Sequence, residues 1–508
     1  MATVPGASAG LNGVARIDPR NADAAFDAGL DALRLGGEKD ALRLLAKAAR
    51  FHPGDARLWQ VSGLLHRALD DLDPAVKALT RAAGLARGDA RIAHALARAR
   101  LEAGLPAVDA FEGAHRLAPL DGDVLLGLAA ARIADGDSEA AMAGIEAQLR
   151  LHPGWLPGHA LIARLRWMFG EREAFTASYE RALAAVPRDI NLWREMIVTL
   201  IHANLYEAAL GAIARGRAAA GPHLVFDANE AVCVAELGRT GEADRLFAAL
   251  GPIGDVTIII RRIRHLLRSG RPAEAVALAD PLLAGEQAYL IWPYVSVAWR
   301  LLGDPRWQWL EGDSRLVGVY DLADQIPSLD ALAGRLRALH LAPGQPLEQS
   351  VRGGTQTDGP LFARIEPEIR ALRKAVVAAV ERHVAQLPPP DPRHPTLRMR
   401  HGPIRFAGSW SVRLLAAGHH ANHIHPMGWF SSALYVTLPS EAEAGPPPAG
   451  WLELGRPQAE LGVDLPPFRT VEPKRGRLVL FPSTMWHGTM PIAGGERMTV
   501  AFDVAPPR

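Results

Sequence analysis

Between about residues 22 and 250 the apolar positions recur with helical spacing, in blocks divided by short polar breaks, as expected of amphipathic helices that each bury one stripe. The blocks themselves repeat. Pro53, Pro119, Pro153 and Pro187 lie 66, 34 and 34 residues apart and Pro222 follows after 35, so the period is 34. Aligned on these prolines, Gly29, Ala41, Leu45 and Ala48 return one period later as Gly63, Ala75, Leu79 and Ala82. Ala129, Ala141 and Ile145 restate the pattern before Pro153, and Ala163, Tyr179 and Ala182 restate it before Pro187. Small residues at fixed offsets let two helices cross closely, so each unit reads as an antiparallel helix pair, with six or seven units in all. The stretch 92–118 keeps the helices but blurs the register. After Pro252 the pattern decays, leaving Gly270–Asp280 and Tyr294–Asp304 as amphipathic helices suited to capping the array.

Beyond about residue 340 short alternating segments replace the alanine-rich helices. One helix remains, Ile365–Leu387, stopped by Pro388, Pro389 and Pro390. The runs SWSVRLL, WFSSALYVTL, GWLEL, GRLVLFP and RMTVAFDV follow, punctuated by Gly- and Pro-bearing turns, the pattern of a β-sandwich or barrel. The predicted organisation is a disordered N-terminus at 1–21, a helical array at 22–283, a helical cap and connector at 284–345, and a β domain at 346–508 with a support helix at 365–387.

Composition narrows the function. With 508 residues, 49% of them hydrophobic, the chain is long enough for more than one core. Its 56 basic residues nearly cancel 55 acidic ones, so no global field draws it to nucleic acid or to an anionic membrane. A single cysteine, Cys233, excludes an internal disulfide framework, and the opening MATVPGASAG has neither the basic start nor the apolar run of a signal peptide. No stretch is apolar for the ~18 residues a membrane span needs. These features predict a soluble, cytoplasmic protein.

The chemistry concentrates in the last hundred residues. HHANHIHP, residues 419–426, contains His423 and His425, which point to one side if the segment is extended. A distant third imidazole, His487 in MWHGTMP, can complete a mononuclear site with open positions, and imidazole suits Fe, Zn, Cu and Ni. Arg497 comes ten residues after His487, beyond Pro491, Gly494 and Gly495, a strand–turn–strand reading that returns it alongside the histidine. Arg497, Thr499 and Ala501 share one strand face, and an arginine with a nearby hydroxyl can hold a carboxylate. No G-x-S-x-G elbow surrounds Ser431, Ser432 or Ser483, and the glycines near Gln349, Arg352 and Gln356 lack the Lys-Ser or Lys-Thr of a phosphate loop.

The 34-residue unit resembles the tetratricopeptide repeat. The segment 405–504 resembles the Fe(II)- and 2-oxoglutarate-dependent oxygenases, and SWSVRL, HxHPxGW, SSALYV and LFPSxxWHGTxP together resemble bacterial proteins that join such repeats to such a domain. The resemblance implies an α-solenoid followed by a double-stranded β-helix, or jelly roll. It implies His423 and His487 as iron ligands, with His425 where most of the superfamily has Asp. It also implies Arg497 and Thr499 as holders of the distal carboxylate of 2-oxoglutarate, with Tyr435 beside them. Trp410, Arg413, Trp429, Trp486 and Gln356 are pocket candidates, while His419 and His420 read as bystanders. The implied activity is a dioxygenase that hydroxylates a protein or peptide recruited by the repeat groove. Two alternatives stand beside it: a cupin-type metalloenzyme without 2-oxoglutarate, against which Trp429 and Phe430 occupy the place of the expected glutamate, and a repeat adaptor whose β domain is non-catalytic.

Overall fold

The structure, a computed structural model, describes residue 14 and residues 16–507 apart from 253, 346, 348 and 401. Most of the segment expected to be disordered, 1–13 and residue 15, lies outside the described residues. The fold class is a helical-repeat array followed by a β domain of two antiparallel sheets. The chain divides into two units, residues 1–145 with 359–370, and residues 146–358 with 371–508.

Among the described residues the repeat comprises eight helix pairs. Their first helices are Ala22–Leu35, Ala56–Ala68, Ala90–Glu102, Gly122–Ala134, Leu156–Met168, Ile190–His202, Leu224–Glu236 and Val256–Arg268. The second helix of the last pair is Pro272–Ala279, so the pairing outlasts the decay of the sequence pattern after Pro252. Two local signals persist where hydrophobic register blurs. Asp55, Asp89, Asp121, Asp189 and Asp255 each cap a first helix by accepting a backbone N–H, satisfying donors the helix leaves free. Between the two helices of each pair stands a residue of positive φ: Gly36, Asp70, Gly104, Gly136, Gly170, Asn204, Gly238 and Gly270. That conformation ends one helix and turns the chain into the next, and asparagine and aspartate tolerate it best after glycine. Close crossing accounts for the small residues: a Cβ on Gly63 would lie 2.5 Å from Leu79 Cγ.

The β domain belongs to the second unit. Nine strands are seen among the described residues: β1 Gly318–Asp321, β2 Val351–Gln356, β3 Phe406–His420, β4 Phe430–Thr437, β5 Leu452–Leu454, β6 Arg469–Val471, β7 Arg477–Pro482, β8 His487–Thr489 and β9 Arg497–Val504. The larger sheet runs β1-β7-β4-β9-β3-β2 and the smaller β6-β5-β8, all antiparallel. β1 comes from the segment expected to be helical connector, so that segment supplies an edge strand on β7. β8 and β9 are not hairpin partners, as the strand–turn–strand reading expected: β8 pairs with β5, and β9 with β3 and β4. The Pro- and Gly-bearing segment between them crosses from one sheet to the other, tied by Ile492 N–H to Gly418 O and Ala493 N–H to Ala444 O.

In the same unit the helix Trp292–Leu302 shares a core with the β domain. Trp292, Val295 and Trp299 cluster with Leu461 and Trp486, and Trp486 Nε1 donates to Pro293 O at 2.9 Å. Burying several tryptophans here ties repeat and β domain through one apolar cluster, a large hydrophobic contribution.

Candidate metal centre

The site begins with an irregularity in β3. Gly354 pairs with Leu414 but Arg352 pairs with His419, so four residues of β3 lie against a single residue of β2, Gly353. Gly353 and Ala417 adopt positive φ there, and the extra residues bend the strand as bulges do. The bend carries the chain from the larger sheet to the edge of the smaller one. His420 N–H donates to Thr489 Oγ1 at 2.9 Å, and His423 forms a reciprocal backbone bridge with His487, N–H to O at 2.8 and 3.0 Å. His425 N–H then donates to Ser483 O at 3.0 Å.

This path brings three imidazoles together. His423, His425 and His487 each offer a nitrogen, and the three nitrogens lie within 4.8 Å of one another. In every ring Nδ1 is engaged. His423 Nδ1–H donates to Ala421 O at 2.8 Å, His487 Nδ1–H to Met485 O at 3.0 Å, and His425 Nδ1–H to Asp503 Oδ2 at 2.8 Å. These bonds fix the tautomer and leave Nε2 of each ring as the lone-pair donor, the arrangement that orients metal-binding histidines. Burial holds His423 and His487 well below the ordinary imidazole value, and neighbouring imidazoles add to the depression, so both rings stay neutral. The donor set therefore fits a divalent ion of borderline softness, including Fe(II).

His419 and His420 differ from each other. The His419 ring meets the backbone beside it, Nδ1–H donating to Ala417 O at 3.3 Å. His420 is drawn into the site: its Nδ1–H donates to Ser350 Oγ at 3.1 Å, and the Ser350 hydroxyl donates to His423 Nε2 at 3.2 Å. Burial, then the Arg497 charge, lowers His420 to about 3. Ser350 was not singled out from the sequence, since a lone serine before a strand carries no signal.

Arg497 reaches the site from β9 in the facing sheet. It is 1% exposed, yet its Nε and Nη1 have no acceptor at full hydrogen-bond geometry among the described residues, and the Tyr435 hydroxyl beside the guanidinium makes only a loose polar contact with it. The guanidinium carbon lies 5.1 Å from the Tyr435 ring centroid. Burial depresses the Arg497 pKa and raises that of Tyr435. A buried cation with free N–H groups is costly unless an anion meets it, so the arrangement is a cradle suited to an anion. The register aligns the wall of the cradle: Gln356 lies opposite Val412, Val412 opposite Thr499 and Thr499 opposite Tyr435, one row on one face.

The other pocket candidates divide. Trp410 stacks on His425, centroids 5.4 Å apart and planes 7° from parallel, so it walls the centre. Arg413 does not face the pocket; it lies opposite Met498 on the other face of the sheet, and its Nε donates to Glu496 at 2.6 Å. Trp429 donates to Thr396 O at 2.8 Å and packs on Phe430, and Trp486 is committed to the helix cluster around Pro293, so both serve the core. Alternation puts Trp410 and Arg413 on opposite faces of β3, but which face meets the histidines is set by sheet register and packing.

Residues 408–503 match the family model described as "Putative 2OG-Fe(II) oxygenase". The chain thus carries a C-terminal segment with the sequence pattern of that family, preceded by tetratricopeptide-like helix pairs. Among solved structures, MamA is similar at 18% identity, covering 33% of this chain and 92% of that one with a TM-score of 0.30. MamA from Desulfovibrio magneticus RS-1 is similar at 17% identity, covering 33% and 96%, TM-score 0.29. An O-GlcNAc transferase from Thermobaculum terrenum is similar at 20% identity, covering 26% of each chain, TM-score 0.23. No curated protein matches. No helix among the described residues is long and apolar enough to cross a membrane.

Proposed function

We propose that the chain is an Fe(II)- and 2-oxoglutarate-dependent dioxygenase that hydroxylates a protein or peptide presented by its helical repeats. One observation carries the reading: three imidazole nitrogens, one each from His423, His425 and His487, lie within 4.8 Å of one another, and a buried arginine whose Nε and Nη1 lack acceptors stands on the facing sheet. His423, His425 and His487 hold the iron. Arg497 and Thr499, with Tyr435 beside them, receive the distal carboxylate of 2-oxoglutarate. When bound, iron and 2-oxoglutarate with dioxygen supply succinate, carbon dioxide and one oxygen atom for insertion into a C–H bond. The protein's part is orientation and exclusion of water. Trp410 closes one side of the centre, Val412 and Gln356 extend its wall, and the apolar cluster of Tyr435, Leu452, Val479 and Phe481 keeps the space between the sheets dry.

Arg497 favours this reading over a cupin-type enzyme, in which the buried guanidinium would have no anion to meet. The purified chain with Fe(II), 2-oxoglutarate and oxygen should release succinate even without its substrate, through uncoupled turnover. No succinate and no 2-oxoglutarate binding would overturn the proposal; metal uptake alone would leave the cupin reading, and neither would leave the adaptor.

A further inference from the structure

Three imidazoles are neutral ligands, so a divalent cation held by them brings two positive charges into a buried site with no anionic ligand. A carboxylate nevertheless stands one bond away. Asp503, 9% exposed, accepts His425 Nδ1–H at Oδ2, 2.8 Å, and Ser431 Oγ–H at Oδ1, 2.6 Å. Among the described residues no lysine or arginine pairs with it; its one ion-pair partner is His425. Apart from that imidazole and one hydroxyl, no fixed positive charge stands beside the carboxylate among the described residues to offset its burial.

The surroundings are built around this carboxylate. Asp503 lies opposite Gly408 and Ser431 in register, on the β9 face that also bears Arg497 and Thr499. Ser431 Oγ is also 2.9 Å from Ser483 Oγ, and Ser483 O accepts His425 N–H. Gly428 makes room for both: a Cβ there would come within 2.5 Å of Ser483 Oγ and 3.2 Å of Asp503 Cβ. Trp410 clamps the His425 ring from its face. His423 and His487 show nothing similar, since their Nδ1–H groups meet backbone carbonyls. The charge is thus delivered to one ligand, the one in the place where a carboxylate is expected.

We infer that Asp503 is a positioning residue that supplies, through His425, the negative charge a direct carboxylate ligand would otherwise bring to the metal. The inference rests on the metal-centre reading. It also closes the charge balance: a divalent metal cancels a dianionic cosubstrate, Arg497 leaves one positive charge, and Asp503 cancels that. Polarising the Nδ1–H bond makes Nε2 a stronger donor, which selects for a divalent metal in a site whose ligands are all neutral.

The test is metal affinity, with no turnover required. Co(II) is titrated into the metal-free full chain by its visible absorption, and Fe(II) is competed against it without oxygen. Asp503→Asn keeps shape and an acceptor for His425 Nδ1–H but removes the charge; it should weaken both metals about 10–100-fold and change the Co(II) band intensities. Ser431→Ala leaves the charge and should stay within about threefold of wild type. Asp503→Ser removes the same charge with a smaller side chain and serves if the amide variant does not fold. Wild-type affinity in the charge-removing variants, or an equal loss in Ser431→Ala, would overturn the inference while leaving the metal centre intact. No metal binding by the wild-type chain would overturn both.

Discussion

Replacing Arg497 with methionine separates the cost of a buried charge from its use. In the ligand-free protein the guanidinium is 1% exposed and leaves Nε and Nη1 without acceptors, an arrangement that burdens the fold. A thioether of similar length relieves that burden, so Arg497→Met should match or exceed wild type in ligand-free thermal stability. The opposite sign is expected once 2-oxoglutarate is present. Losing one partner of a desolvated ion pair costs about 3–5 kcal/mol, which is roughly a 10²–10⁴-fold rise in Kd. At a 2-oxoglutarate concentration about 100 times the wild-type Kd, binding stabilises the wild-type protein by about 2.7 kcal/mol, and the variant by less than about 0.5 kcal/mol. Thermal unfolding of both proteins, loaded with Fe(II) without oxygen and scanned with and without 2-oxoglutarate, measures the difference directly. An equal gain in both proteins would refute the assignment of Arg497 to the cosubstrate carboxylate. A large ligand-free destabilisation of the variant would refute the claim that the charge is uncompensated.

Two further predictions concern the fold. Burial holds His383 and His340 at about 4, below the ordinary imidazole value. Between about pH 6.5 and 4 the unfolded chain takes up protons that the folded chain excludes, so stability should fall as pH falls through that window. The slope is up to about 1.4 kcal/mol per pH unit for each histidine; denaturant midpoints in His383→Gln should lose one proton's share of it, and an unchanged slope would contradict the assignment. Asn204 turns between two helices at φ 59° and accepts Tyr206 Oη–H. Asn204→Ala and Asn204→Gly both lose that bond, so the difference between them isolates the backbone. Alanine should be less stable by about 1 kcal/mol in urea denaturation, and equality would show the turn to be unstrained.

What the sequence determined was whatever depends on local order. A 34-residue period with small residues at fixed offsets dictates helix pairs, because side-chain spacing along a helix is set by the helix itself. Alternation marked the strands for the same reason, and the spacing of His423 and His425 made them a pair. The punctuation was also present unread: aspartate caps such as Asp55 and Asp189, and the positive-φ residues near one period apart, carried the repeat past the point where its hydrophobic register blurred. Gly428 and Ser483 carry no local signal of their role, which comes from the carboxylate and the imidazole they approach.

Tertiary structure decided what depends on which strand lies beside which. His487 meets His423 across a bridge between segments 64 residues apart in sequence, and Arg497 arrives from the facing sheet. Alternation puts Arg413 and Trp410 on opposite faces of one strand, but packing decides that the first meets Glu496 and the second His425. Asp503 shares a face with Arg497 by simple alternation, but its contact with His425 requires β9 to lie beside β3 and β4 in one particular register. A strand's periodicity says which residues point the same way; only packing says what they point at, because a one-residue slip in pairing would exchange every face.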